Sequence, residues 1–307
     1  MRPFEQLPFD AVPDRPRKSH AYFSARSDRV RVRSRSFGEI DVHVTVHGAG
    51  PPLLLVHGFM TSSYSFRYLL EPLGRSFTCF APDLPGSGRS DKPDVSYLPE
   101  HLSATIGDIV GALGIRGAPA IGNSLGGYLM MRLALSDPGA SSRLVNLHSP
   151  GLPTARMRAL GAALTLVPDP EPLLRRLVWR SPERWVHRNV HYFDESLKSR
   201  EEHAEYAAPL RTPEGLRAFA RMLTETLDVG SMAAFERELR RLGRFPVPLL
   251  LVYAATDPMV PPSVGDRLRK LLPDAGFVRL ENASHFAHVD ATDRFVEAVL
   301  PFLRGAA

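Results

Sequence analysis

Apolar and polar residues alternate through RVRVRSRSFG and IDVHVTVHG, residues 29–38 and 40–48, as they do in half-exposed antiparallel strands. The rhythm then changes. PPLLLVHG (51–58) is a short continuous apolar run, which suits a strand buried on both faces. Residues 62–74 read as a helix, FTCFAPD (77–83) as another buried strand, and residues 98–113 as a second helix. APAIGN (118–123) is the next strand. LGGYLMMRLALSD (125–137) follows as a helix, apolar at 125, 128, 129, 130, 133 and 135, and RLVNLHSP (143–150) is one strand more.

From about 152 to 245 the strand-like runs stop. Amphipathic helices take over: ARMRALGAAL, EPLLRRLVW, PERWVHRNV, EGLRAFARMLTET and SMAAFERELRRL. Strand logic resumes at VPLLLVYAATD (247–257), then come a helix near 263–272, the strand GFVRLEN (276–282) and a closing helix over 291–304. Without the helical block the chain is one alternating β/α array, which predicts a mostly parallel sheet with helices on both faces. The expected organisation is an N-terminal arm (1–29), a first part of the core (30–151), a helical cap (152–245) and a second part of the core (246–307).

Composition changes this picture little. The 307 residues are 44% hydrophobic and 23% charged, an ordinary globular balance. No apolar run approaches the ~20 residues needed to span a bilayer, and the first twenty residues lack the apolar centre of a signal peptide. The single cysteine, Cys79, excludes an intrachain disulfide and sits in an apolar run where a buried, inert thiol is expected. These features point to the cytoplasm. Residues 1–35 hold nine Arg or Lys against four Asp or Glu, which equals the net charge of +5 for the whole chain. The basicity belongs to the N-terminal arm, expected to be solvated and partly ordered. Neither nucleic acid nor stable membrane insertion is expected, and the implied partner is a small-molecule substrate.

In open α/β sheets, ligands bind beyond the carboxyl ends of the strands. Those positions carry His57, Asp83, Ser124, His148, Asp257 and His285 in turn. Ser124 lies in Gly122-Asn123-Ser124-Leu125-Gly126, a G-x-S-x-G pattern at a strand-to-helix junction. Three fixed residues in five recur by chance; the junction gives them meaning. A nucleophile on so sharp a turn needs neighbours without side chains, and the helix opening at Leu125 favours negative charge beside it. The chain order Ser124, Asp257, His285 is that of the α/β-hydrolases. A serine hydroxyl needs a base to take its proton, the part for His285, while Asp257 would fix the imidazole tautomer. Backbone N–H groups of Phe59 and Leu125 are the candidate oxyanion donors.

The motifs VHGFMTSSYSFR, APDLPGSGRSDKP, GNSLGG, VYAATDPMVPP and ENASHFAHVD, in this order, resemble those of the α/β-hydrolase superfamily from about residue 30 to 304. The resemblance implies the α/β-hydrolase fold with an inserted helical cap. HGFMTSSYSFR is further similar to the equivalent loop of haloalkane dehalogenases. Those enzymes use an aspartate nucleophile followed by a tryptophan, and usually an asparagine in the oxyanion loop; here Ser124, Leu125 and Phe59 stand at the matching positions. The serine moves the expected chemistry to acyl transfer. The reading is a cofactor-independent serine hydrolase with no metal, most simply a carboxylesterase for small to medium apolar acyl groups. A C–C bond (β-diketone-type) hydrolase and a lactonase are the enzymatic alternatives, and a non-catalytic receptor or scaffold on the same fold is the alternative of another class.

Met60, Met259 and Phe286 adjoin the catalytic positions in sequence and are pocket candidates, with His148, whose strand end could place it near the pocket or beneath it. The resemblance gives Asp83, His57 and Arg89 structural roles and makes His288 structural beside the base His285. NLHSPG carries no carboxylate to rival Asp257. His187 and His191, one helical turn apart, lack a carboxylate or cysteine cluster to complete a metal shell. Among the cap aromatics Trp179, Trp185, Tyr192, Phe193 and Phe219, one or two are expected to reach the pocket.

Overall fold

The computed structural model describes residues 2–164, 169 and 171–305 of the chain, so residue 1 of the arm, residues 165–168 and 170 of the cap and residues 306–307 of the core lie outside the described residues. Among the described residues, eight strands form one sheet: β1 (Arg26–Ser34), β2 (Gly38–His47), β3 (Pro52–Val56), β4 (Thr78–Pro82), β5 (Ala120–Asn123), β6 (Leu144–Leu147), β7 (Leu249–Ala254) and β8 (Gly276–Leu280). Their order is β1-β2-β4-β3-β5-β6-β7-β8. β1, β2 and β4 pair antiparallel, and every pairing from β4 through β3 to β8 is parallel.

Burial on two faces explains the continuous apolar runs. In β3, Leu54 and Val56 join the core under helices α2 (Pro99–Ala112) and α3 (Leu125–Ser136). Leu53 and Leu55 point the other way, into the core with α1 (Leu70–Gly74) and the closing helix. β7 repeats this, Leu249, Leu251 and Tyr253 facing one core, Leu250, Val252 and Ala254 the other. A strand with both faces covered favours apolar residues at every position.

Among the described residues, six helices lie between β6 and β7 and form the cap: α4 (Ala155–Leu164), α5 (Glu171–Val178), α6 (Pro182–Asn189), α7 (Arg200–Ala207), α8 (Pro213–Glu225) and α9 (Val229–Leu242). Their starts are written in the sequence. Ser199, Thr212 and Asp228 each accept a hydrogen bond from a first-turn backbone N–H, the side-chain cap that satisfies an otherwise orphan donor. After β7 come α10 (Pro262–Leu271), α11 (Ala287–Asp290) and α12 (Thr292–Leu303). The architecture is a mainly parallel sheet with helices on both faces and added cap helices, as the α/β-hydrolase fold requires. Among the described residues, no helix is long and apolar enough to cross a membrane.

Two expectations change. The helix over 62–74 is split into a 3-10 turn, Ser63–Phe66, and the short α1. The helix α7 is additional. Its inward residues include Glu202, His203 and Tyr206, so no apolar stripe announced it. The N-terminal arm is largely exposed and also ordered: β1 already begins at Arg26, and the residues before it hydrogen-bond to the cap and the core. Pro13 and Asp14 carbonyls accept from the N–H groups of Arg200 and Glu201. His20 bonds Glu201 at 2.9 Å, and Tyr22 bonds Ser63 at 3.0 Å and Arg89 at 2.7 Å.

Candidate active site

Ser124 occupies the single residue between β5 and α3, with φ 51° and ψ −119°. A non-glycine residue in such a conformation costs about 1–3 kcal/mol, so its surroundings must hold it there. Its N–H donates to Leu147 at 2.8 Å, and its carbonyl accepts from Tyr128 at 3.1 Å. The flanking glycines make the turn possible. A Cβ on Gly122 would lie 2.6 Å from the Gly127 Cα, and one on Gly126 would collide with the Val56 and His57 carbonyls.

His285 and Asp257 arrive from the loops beyond β8 and β7. The His285 Nδ1–H donates to Asp257 Oδ2 at 2.7 Å, with both side chains almost wholly buried. The other carboxylate oxygen accepts from the N–H groups of Met259 at 2.7 Å and Val260 at 2.9 Å. Burial acts to raise the Asp257 pKa, but the His285 charge and hydrogen bond, with help from His148 and Val260, hold it below the usual carboxylate range. An ionised carboxylate at Nδ1 fixes one tautomer and leaves Nε2 as the free ring nitrogen.

His148, just past β6, lies beneath this pair. It does not line the cavity, which corrects its place among the pocket candidates. Its Nδ1–H donates to the His285 carbonyl at 2.9 Å, while its Nε2 accepts the Ala254 N–H. The rings of His148 and His285 stack at 5.5 Å. The Asn123 side chain donates to that same His285 carbonyl at 3.2 Å. The loop bearing His285 is thus held from β6 and from the turn carrying Ser124. Although His148, Asp257 and His285 are close enough to share an ion, both His148 nitrogens are engaged by backbone and one His285 nitrogen by Asp257. The donor set is a hydrogen-bond network rather than a metal shell.

Ser124 and His285 share a cavity of about 180 Å³ with Phe59, Met60, Leu125, Met259 and Phe286. Met157, Val190 and Leu227 of the cap region complete a mainly apolar wall. Among the described residues, neither the Phe59 nor the Leu125 backbone N–H is taken by a backbone acceptor. Met60, next to Phe59, has φ 62°, so the loop after β3 is bent sharply where it meets the cavity. None of the five cap aromatics lines it. Phe219 acts one layer back, stacked on Phe59 at 5.0 Å, and Tyr192 packs edgewise on Phe286 at 5.4 Å.

The remaining candidates have other duties. Asp83 accepts from the N–H groups of Ser63 and Arg89 at 2.7 and 2.8 Å. His57 accepts the Leu84 N–H at 2.9 Å through Nε2. Arg89 binds Glu205 of the cap at 2.8 Å. His288 is buried against Phe66 and Phe286. His187 donates to the Leu7 carbonyl at 2.9 Å, and His191 meets Gln6 at 3.0 Å, so this pair anchors the arm. Burial pushes the Cys79 thiol up to about 12, which leaves it unreactive.

Residues 53–298 match the Alpha/beta hydrolase family. The chain is 30% identical to Haloalkane dehalogenase 2 of Mycobacterium tuberculosis over 265 residues, 84% of this chain and 90% of that protein. Among solved structures, the epoxide hydrolase CorEH superposes with a TM-score of 0.78 at 19% identity, covering 92% of this chain and 99% of that one. A thermophilic esterase from Thermogutta terrifontis superposes with a TM-score of 0.72 at 20% identity, covering 92% and 99%. At these identities the two structures speak for the fold alone.

Proposed function

The chain belongs to the alpha/beta hydrolase family, and on that premise we propose that it is a cofactor-independent serine hydrolase, a carboxylesterase for small to medium apolar acyl groups. One observation carries this reading: a strained Ser124 shares an apolar cavity with a histidine whose far nitrogen is held by a buried carboxylate. Ser124 Oγ attacks the acyl carbon as His285 Nε2 takes its proton. The oxyanion that forms is met by the N–H groups of Phe59 and Leu125. The C–O bond to the alcohol then breaks, the alcohol leaves with the proton from His285, and an acyl-Ser124 ester remains. Water, deprotonated by the same histidine, releases the acid. Losing one oxyanion donor typically costs about 100- to 1000-fold in rate.

The size of the cavity supports small acyl groups. An apolar hole of ~150 Å³ accepts benzene, and the space beside Ser124 is of that order, about 180 Å³. The names of the relatives do not transfer as activities. Haloalkane and epoxide opening of the resembling kind needs an aspartate nucleophile, and a serine cannot form the alkyl-carboxylate ester.

Turnover of 4-nitrophenyl esters from acetate to decanoate, run beside a vinylogous diketone, tests the reading. Short and medium esters are expected to be cleaved, with decanoate slower, and Ser124→Ala is expected to lose at least 1000-fold, in line with removal of a catalytic nucleophile. Cleavage of the diketone with no ester turnover would replace the esterase by a C–C bond hydrolase. No turnover of either would favour the receptor.

A further inference from the structure

The cavity beside Ser124 meets one guanidinium, that of Arg156, and no carboxylate side chain among the described residues that line it. Arg156 stands in the first turn of α4, at the solvent-reaching mouth. Its Nη1 donates to the Pro258 carbonyl at 2.8 Å. That bond ties the side chain to the loop carrying Asp257, yet uses one of the five N–H groups that a guanidinium offers. Asp257 itself is engaged by His285, Met259 and Val260. Arg158 and Arg267 border the groove next to Arg156, and Arg267 is already paired with Glu236 at 2.9 Å.

We propose, resting on the hydrolase reading above, that Arg156 makes the enzyme selective for esters whose acyl chain ends in a carboxylate, the apolar segment lying in the cavity and the acid on the guanidinium at its mouth. The chemistry follows from the lining. The methionine, phenylalanine and leucine side chains of the lining offer an anion no donor, those of Asn123, Asn189 and Thr226 already donate to backbone carbonyls, and a carboxylate taken from water without a partner is strongly disfavoured. A guanidinium presents a planar fork matched to a carboxylate, and it stays charged at any working pH. Exposure at the mouth screens the contact, so the selectivity is set at about tenfold, the rate ratio for ~1.4 kcal/mol. Arg158, at the groove next to Arg156, adds positive potential that attracts an anionic ester from solution.

The test compares two esters of matched length, 4-nitrophenyl pentanoate and the 4-nitrophenyl monoester of glutaric acid. The expected result is a kcat/KM ratio of about ten in favour of the anionic ester, narrowing as salt is raised. In Arg156→Gln the ratio is expected to fall to near one, and in Arg156→Lys to lie between. Equal turnover of both esters by the unmodified enzyme, or a preference that survives Arg156→Gln, would overturn the role of Arg156 while leaving the esterase intact. If neither ester is turned over, the hydrolase reading fails on its own. Binding of the two esters to Ser124→Ala and to Ser124→Ala/Arg156→Gln then still decides the selectivity, because a loss of about tenfold confined to the anionic ester is expected and equal binding contradicts it.

Discussion

His148 can serve both of its backbone partners only as a neutral imidazole, because a second proton would sit at Nε2, against the Ala254 N–H that this nitrogen accepts. Burial lowers its pKa from 6.5 to about 4, outweighing the opposite pull of Asp257. In the unfolded chain the same residue takes up its proton near the ordinary value. Between the two values the unfolded state binds more protons, so stability is complete above about pH 6.5 and is lost as pH falls toward 4. At ~1.36 kcal/mol per pH unit, the loss is about 3 kcal/mol over that window. Urea unfolding at pH 7 and pH 4.5 is expected to show it. His148→Asn, which can still donate to the His285 carbonyl, is expected to be less stable at pH 7 but to decline less steeply. Equal declines would show that His148 is not the titrating group.

At the scale of elements, the cap is locked to the core by charges in its interior. Arg67, following the 3-10 turn after β3, pairs with Glu202 of α7 at 2.6 Å, both fully buried. Tyr192 donates to the other Glu202 oxygen at 2.8 Å, and the guanidinium lies 4.6 and 4.5 Å from the rings of Tyr64 and Tyr68. Removing one partner leaves a buried charge unpaired, so Glu202→Ala is expected to cost about 3–5 kcal/mol. Arg67→Met together with Glu202→Met is expected to cost less than the sum of Arg67→Met and Glu202→Met measured singly, by urea midpoints. Strictly additive losses would mean that the two charges do not act as a pair. Such locks are invisible to periodicity. The β/α order and the strand ends were legible because a strand covered on two faces must read as an apolar run. α7 was not, since its inward side is Glu202, His203 and Tyr206. The contacts of the arm were not legible, because its partners, such as Glu201 for His20, lie about 180 residues away. The place of His148 depended on a backbone turn with φ 53°, which a non-glycine residue does not advertise.

At the scale of the whole molecule, the parallel sheet brings residues far apart in the chain to one edge. Ser124 follows β5, Asp257 follows β7 and His285 follows β8. The cap region inserted after β6 helps close the cavity over Ser124 with Met157, Val190 and Leu227. The chemistry proposed for this arrangement stands or falls with Ser124 as a base-activated nucleophile, because the cavity, the oxyanion donors and the histidine have no acyl-transfer role without it. Covalent labelling of the folded protein by a fluorophosphonate tests this most directly. One adduct by intact mass is expected, mapped by peptide sequencing to Ser124 and absent from Ser124→Ala. A folded protein that takes up no adduct, or a Ser124→Ala variant labelled as readily as the unmodified chain, would contradict it.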